Sequence, residues 1–177
     1  MDISNRNIIS IGGKTPQFAL NCWIANNATI TGDVVIGKQS SVWYQVVIRG
    51  DVNKIIIGDN VNIQDGAIVH GSDGKGDTII GNNVSIGHRA IVHGCIIHDD
   101  VLIGMGAIVL DDVVIESNVI VAAGAVVTGG KRLESGYLYA GVPAKKLKKI
   151  DAEKADYYIK KTAQGYVEAS KYYRENT

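Results

Sequence analysis

Residues 97–127 read IHDDVL IGMGAI VLDDVV IESNVI VAAGAV V, and set out in sixes they begin every group with Ile or Val. The fifth place of each group is small or β-branched: Val101, Ala107, Val113, Val119, Ala125. The same phase runs upstream through Ile24, Ile30, Ile36, Val42 and Ile48, through Ile57, Ile63 and Val69, and through Ile80, Ile86 and Val92. The place after the aliphatic is often small, as at Ala25, Gly37, Gly58, Gly81, Gly87, Gly104 and Ala122. Ordinary half-buried strands alternate with period two and do not hold period six over about a hundred residues. A six-residue period predicts a parallel β-helix. Each hexad makes one short strand and one corner, and three hexads close a triangular coil with the aliphatic turned inward. The chain has 21 glycines and only 2 prolines, and its glycines stand among Ile and Val, which suits many tight corners.

The pattern is read to stop after Val127. Tyr139–Lys145 (YAGVPAK) forms an exit, and from Asp151, a plausible N-cap, the spacing turns helical. Ala155, Tyr158, Ile159, Thr162, Ala163, Tyr166, Ser170 and Tyr173 fall on one stripe, predicting an amphipathic helix that covers a flank of the coil. The organisation expected is a β-helix with its lead-in over 1–140, followed by the exit and helix over 141–177, all in a single domain.

Bulk properties narrow the function. At 177 residues with 18 basic and 18 acidic side chains, the formal net charge is zero, which argues against nucleic acid or an anionic membrane as partner. Cys22 and Cys95 match no metal or redox spacing and read as free thiols. Met1–Ser10 lacks the features of a leader, and no apolar run reaches the length of a membrane span. A cytoplasmic protein is expected.

A solenoid's irregularities are where function tends to lie. The step from Ile48 to Ile57 carries three extra residues around Arg49-Gly50-Asp51. The step from Val69 to Ile80 carries five extra after His70, and the step from Val92 to Ile97 is one short after His93. Counted in hexads, Arg49, His70 and His93 share one column, with successive coils roughly 4.8 Å apart. Stacked imidazoles at that spacing can share a metal ion. His88 is a third position on the next face, stacked above Asp65, so it can reach that column only in a neighbouring copy. A metal site shared within a trimer is the geometric expectation. The fourth histidine, His98, lies outside these columns.

These segments, Arg49-Gly-Asp51, Asn62-Ile-Gln64-Asp65, His70 and Gly87-His88-Arg-Ala-Ile-Val-His93-Gly94, together resemble the γ-class carbonic anhydrases over nearly the whole chain. The resemblance implies a left-handed coil and a homotrimer. It implies a divalent metal, Zn2+ with Fe2+ or Co2+ as alternatives, held by His70 and His93 of one subunit and His88 of the next. The activity implied is reversible hydration of CO2 to bicarbonate by a metal-bound hydroxide. Gln64 would orient that hydroxide, Asp65 would contact bicarbonate or its water network, Asn62 would line the CO2 pocket, and Tyr166 would be the site's tyrosine. Arg49 and Asp51 would form an interface ion pair. The chain departs from the prototype at Val52, where a glutamate is expected, and in the short loop Gly71–Asp77, whose only acids are Asp73 and Asp77. A dedicated proton shuttle is therefore missing. Two rival readings remain: a catalytically silent metal-binding trimer, and a hexapeptide-repeat acyltransferase using acetyl-CoA.

Overall fold

The structure, a computed structural model, describes residues 7–176; the first six residues of the stretch read for a leader lie outside the described residues. The chain winds as a left-handed parallel β-helix of about seven turns with one C-terminal helical segment. One face carries Asn7–Ile9, the first halves of Thr29–Ile36 and Val47–Ile57, then Ile68–His70, Ile91–His93, Ile108–Val109 and Val126–Val127. The second carries the other halves of the two long strands, with Gln17–Phe18, Thr78–Ile80, Ile96–Ile97, Val114–Ile115 and Arg132–Leu133. The third runs from Trp23–Ile24 through Ser41–Val42, Asn62–Ile63, Ser85–Ile86, Val101–Ile103 and Val119–Val121 to Tyr137–Ala140.

Every in-phase aliphatic from Ile24 to Val127 is at most 2% exposed, so the repeat is the core. The pattern does not stop at Val127, however. Leu133 and Tyr139 keep the same six-residue phase and are buried, at 4% and 5% exposure. The coil thus runs two hexads further than the β-branched residues suggest, with larger side chains in the inward position at its end. Tyr137–Ala140 then pairs antiparallel with Lys145–Lys149, which closes that face.

Corners need left-handed backbone. One column supplies it with Asn60, Asn83, Asp100 and Asn118, at φ 56°, 55°, 58° and 58°. Asn and Asp bear this conformation best among residues with a side chain, and here they also join by amide hydrogen bonds, Asn60 Nδ2 to Asn83 Oδ1 and Asn83 Nδ2 to Asp100 Oδ1, each 3.1 Å. Where coils approach most closely only glycine fits. A Cβ on Gly87 would lie 2.6 Å from the Met105 backbone nitrogen.

The helical segment begins as expected, with Asp151 accepting a hydrogen bond from the Lys154 amide at 2.8 Å. It is not one regular α-helix: Ala152–Ala155 passes through a π turn, Asp156–Lys160, into Lys161–Asn176. The wider π turn shifts the phase of the stripe. Ile159, Ala163 and Ser170 are buried as predicted, but Tyr158 turns out to 47% exposure. The helix lies on the third face, where Tyr166 and Tyr173 pack against Trp43 at 5.2 Å between ring centres.

Candidate metal centre

The three irregular steps fall where the candidate site lies. Thr31 pairs with Arg49 and Gly32 with Gly50, whereas Val34 pairs with Ile55, so the three extra residues are taken up between Gly50 and Ile55. That excursion lets Asp51 turn back beside Arg49, and the two form an ion pair of 2.5 Å within one chain. The five extra residues after His70 leave as a loop, and Thr78 returns to the ladder opposite Ile55. The loop is tied down by Asn53 Nδ2, which donates to the Ser72 carbonyl at 2.5 Å, and by Thr78 Oγ1, which donates to the His70 carbonyl at 3.0 Å.

His70 and His93 are register partners in adjacent coils, with His70 Nδ1 3.1 Å from His93 Nε2. The other nitrogen of each ring is fixed by a carboxylate. His93 Nδ1 lies 2.9 Å from Asp111 Oδ1, and His70 Nε2 lies 3.2 Å from Asp51 Oδ1. A carboxylate only accepts, so those outer nitrogens carry the protons and the two facing nitrogens are bare. Arg49 Nη2, which can only donate, sits 3.4 Å from His70 Nδ1 and agrees with that assignment. Two bare nitrogens face each other stably only around a cation or proton. Two imidazoles on a tetrahedral zinc with 2.0–2.1 Å bonds stand about 3.3–3.4 Å apart, close to the spacing observed. The residues present therefore fit a divalent metal. Burial, joined by the Arg49 charge, holds the His70 imidazole below its ordinary value against the pull of Asp51, which keeps the ring neutral and able to ligate. At Asp51 burial works to raise the carboxyl, but the hydrogen bonds from Arg49, its own backbone and His70 together hold it low.

His88 stands elsewhere. It precedes the strand Ile91–His93, whose far end carries His93, so His88 and the His70/His93 pair lie at opposite edges of the first face. Among the described residues of a single chain only two histidines converge, and no group of three or more potential ligands forms. His88 nevertheless has the same local design. Its Nδ1 lies 2.8 Å from Asp65 Oδ2, leaving Nε2 bare, 3.5 Å from the Tyr166 hydroxyl. Asp65 thus holds a histidine ring, and its other oxygen accepts from the Tyr44 amide at 3.3 Å. Beside it, Gln64 Nε2 donates to Asn62 Oδ1 at 2.9 Å and Asn62 Nδ2 donates to Ser85 Oγ at 2.7 Å. Both amides are buried. Tyr166 combines two roles that its helical spacing left open: its ring packs on Trp43 and its hydroxyl faces His88.

Between the two half-sites, the outward side of the first face is a stripe of Val47, Ile68, Ile91, Ile108 and Val126, aligned in register. Asp111 is the residue that the sequence did not single out. It reaches His93 diagonally from the next coil, because the short step after Val92 lets the chain turn early. Gly94 leaves it room, since a Cβ there would lie 2.0 Å from Asp111 Oδ1.

The coil and this paired-histidine arrangement define a hexapeptide-repeat protein. The model of the bacterial transferase hexapeptide (six repeats) matches residues 94–129. The chain is 42% identical to a carbonic anhydrase of Geobacillus kaustophilus over 162 residues, covering 92% of this chain and 88% of the relative. It is 41% identical to the mitochondrial gamma carbonic anhydrase 2 of Arabidopsis thaliana, covering 92% of this chain, and it spans 60% of the length of that longer relative. Among solved structures, the hexapeptide transferase family protein of Anaplasma phagocytophilum superposes with a TM-score of 0.89 at 43% identity, over 94% of this chain and 97% of that one. A Bacillus cereus protein provisionally described as an acetyltransferase superposes at 0.95 with 40% identity, over 98% and 100%. The chain belongs to the γ-class carbonic anhydrase-like family of the hexapeptide-repeat proteins. No helix of the described residues is long and apolar enough to cross a membrane.

Proposed function

We propose that this chain is a metal-dependent carbonic anhydrase whose site is completed between subunits of a homotrimer. The observation that carries the reading is the set of three histidines, each with one nitrogen fixed by a carboxylate and the other bare: His70 with Asp51, His93 with Asp111, His88 with Asp65. Carboxylate-held imidazoles are the usual outer shell of a metal centre. The half-sites differ and lie at opposite edges of an apolar face, so one copy's His88 edge would meet the next copy's His70/His93 edge. A contact between unlike edges closes only as a ring. Three imidazoles with a fourth position open suit catalytic zinc, and Fe2+ or Co2+ as alternatives.

A bound divalent metal would supply water acidified to near neutral pH. The chain's own residues do the rest. Gln64 uses its amide nitrogen on Asn62, so its carbonyl oxygen is left to accept an O–H and fix the orientation of the attacking oxygen. Asn62, locked by Ser85, walls the CO2 side. Asp65 sets the His88 ring, and Tyr166 stands over its bare nitrogen. Arg49 and Asp51, bonded to each other and to His70, reach the interface edge and tie ligand geometry to assembly. Two buried free thiols, with burial pushing Cys95 up to about 12, suit a reducing compartment such as the cytoplasm.

The deciding experiment is stopped-flow CO2 hydration on protein purified anaerobically and loaded separately with zinc and iron, with metal counted per chain. Turnover well above buffer that disappears in His70→Ala supports the reading. One metal per chain without turnover would favour the silent metal-binding trimer, which the exposed Val52 in place of an acid recommends as the second reading.

Two further results are expected. Asp111→Asn should weaken metal binding about 10- to 100-fold, the usual cost of losing an outer-shell partner, with assembly unchanged; competition against a chromophoric chelator measures it. In the metal-free protein, the His70 ring has a lower pKa folded than its ordinary 6.5. The unfolded chain therefore takes the proton first as pH falls, and stability should decline below about pH 6.5. His70→Gln should flatten that part of a denaturation-versus-pH curve.

A further inference from the structure

On the third face the outward column changes character along the axis. After Trp23 it continues through Ser41, Asn62 and Ser85 as small or polar residues, and the helix Lys161–Asn176 packs over the first of these coils. Leu102, Ile120 and Leu138 continue the column in register, and the helix leaves them partly open. They floor a cleft of about 580 Å3, walled by Met105, Ile150 and Tyr158. That volume falls within the roughly 300–1,000 Å3 of small-molecule sites. Three coil spacings separate the coil of Gly87 and His88 from that of Leu138, so the cleft runs about 14 Å along the axis. One end is formed by Gln64, His88 and Tyr166, and the other by Lys148, Lys149 and Lys154. Lys154 is paired with Asp151 at 2.5 Å, whereas Lys148 and Lys149 have no ion pair among the described residues. Lysines on an edge strand protect it from pairing with other chains. That applies to every lysine of Lys145–Lys149; Lys148 and Lys149 differ from Lys145 and Lys146 in that they also line the cleft.

We infer that this cleft binds an anionic amphiphile, a carboxylate on an unbranched hydrocarbon chain, with its head group on Lys148 and Lys149 and its tail along Leu102, Ile120 and Leu138. Charge complementarity chooses the head group, and an apolar floor that continues from coil to coil along the axis suits a linear tail. The tail would end against Gln64, His88 and Tyr166, so the occupant would abut the histidine half-site.

Isothermal titration of the metal-loaded protein with hexanoate, octanoate and decanoate tests the site without reference to CO2 turnover. Affinity should rise roughly three- to fourfold per added methylene. Decanoate should bind at least tenfold more tightly than decanol. Lys148→Glu with Lys149→Glu, both at exposed positions, should remove that preference, and Ile120→Gln should weaken both ligands. No decanoate binding, a flat chain-length series, equal affinity for decanol, or binding unaltered in both variants would each overturn the assignment. None of these outcomes bears on the metal reading, which is scored by metal content and hydration.

Discussion

His88→Ala is expected to strip metal from every site of the assembly while the coil of each chain stays folded. His88 is half-exposed at a corner and contributes nothing to the core, so its truncation leaves the packing intact. Loss of an outer-shell partner already costs about 10- to 100-fold in affinity, and loss of a ligand should exceed that. The sharper form of the test mixes variants. In a ring where each chain gives His88 forward and offers His70/His93 behind, a His88→Ala chain beside a His93→Ala chain makes one intact site. Mixed trimers should therefore regain up to one metal each, although neither variant alone holds any. Metal retained in full by His88→Ala, or no recovery on mixing, would refute the shared site.

Gly87→Ala is expected to be among the most destabilising single methyl additions in the chain. Its Cβ would meet Met105 N at 2.6 Å and Ile103 O at 2.8 Å. These are backbone atoms of the adjacent coil, held by Gly87 N donating to Ile103 O at 2.8 Å, and they have no rotamer by which to yield. Forced overpacking costs about 1–3 kcal/mol and occasionally more, and at the top of that range the melting temperature should fall by about 6–12 °C for a chain of this size. Gly87 also precedes His88, so the same substitution should lower metal content. An unchanged melting curve would show that the coils can separate there without cost.

Much of this was legible because the period is rigid. Once Ile and Val recur every six residues, burial of each head position follows, and the count in hexads sets His70 beside His93 and His88 above Asp65. Legibility fails where size replaces chemistry: Leu133 and Tyr139 hold the phase, yet neither resembles the residues that established it. It fails also where contact runs diagonally. Asp111 sits one place beyond the residue that pairs with His93's column, and no periodic count points to it; only the shortened step after Val92 signals an altered corner. The π turn at Asp156–Lys160 leaves no compositional mark, so the outward placement of Tyr158 within it could not be read, although the stripe beyond it holds at Ala163, Tyr166 and Ser170. Which nitrogen of each imidazole is bare depends on carboxylate distances of 2.8–3.2 Å, and these exist only once the coils are stacked.

The excursion between His70 and Thr78 has an evolutionary meaning. The ladder is complete without it: Val69 pairs with Val92, and Thr78 resumes opposite Ile55. Lengthening such a segment costs only about 0.6 kcal/mol per doubling, and it emerges beside the paired imidazoles. Descent can therefore rewrite the surroundings of this site by splicing residues in or out at that point, with no renegotiation of the lattice that holds the histidines. Lineages that differ in what they do with the site should differ there first.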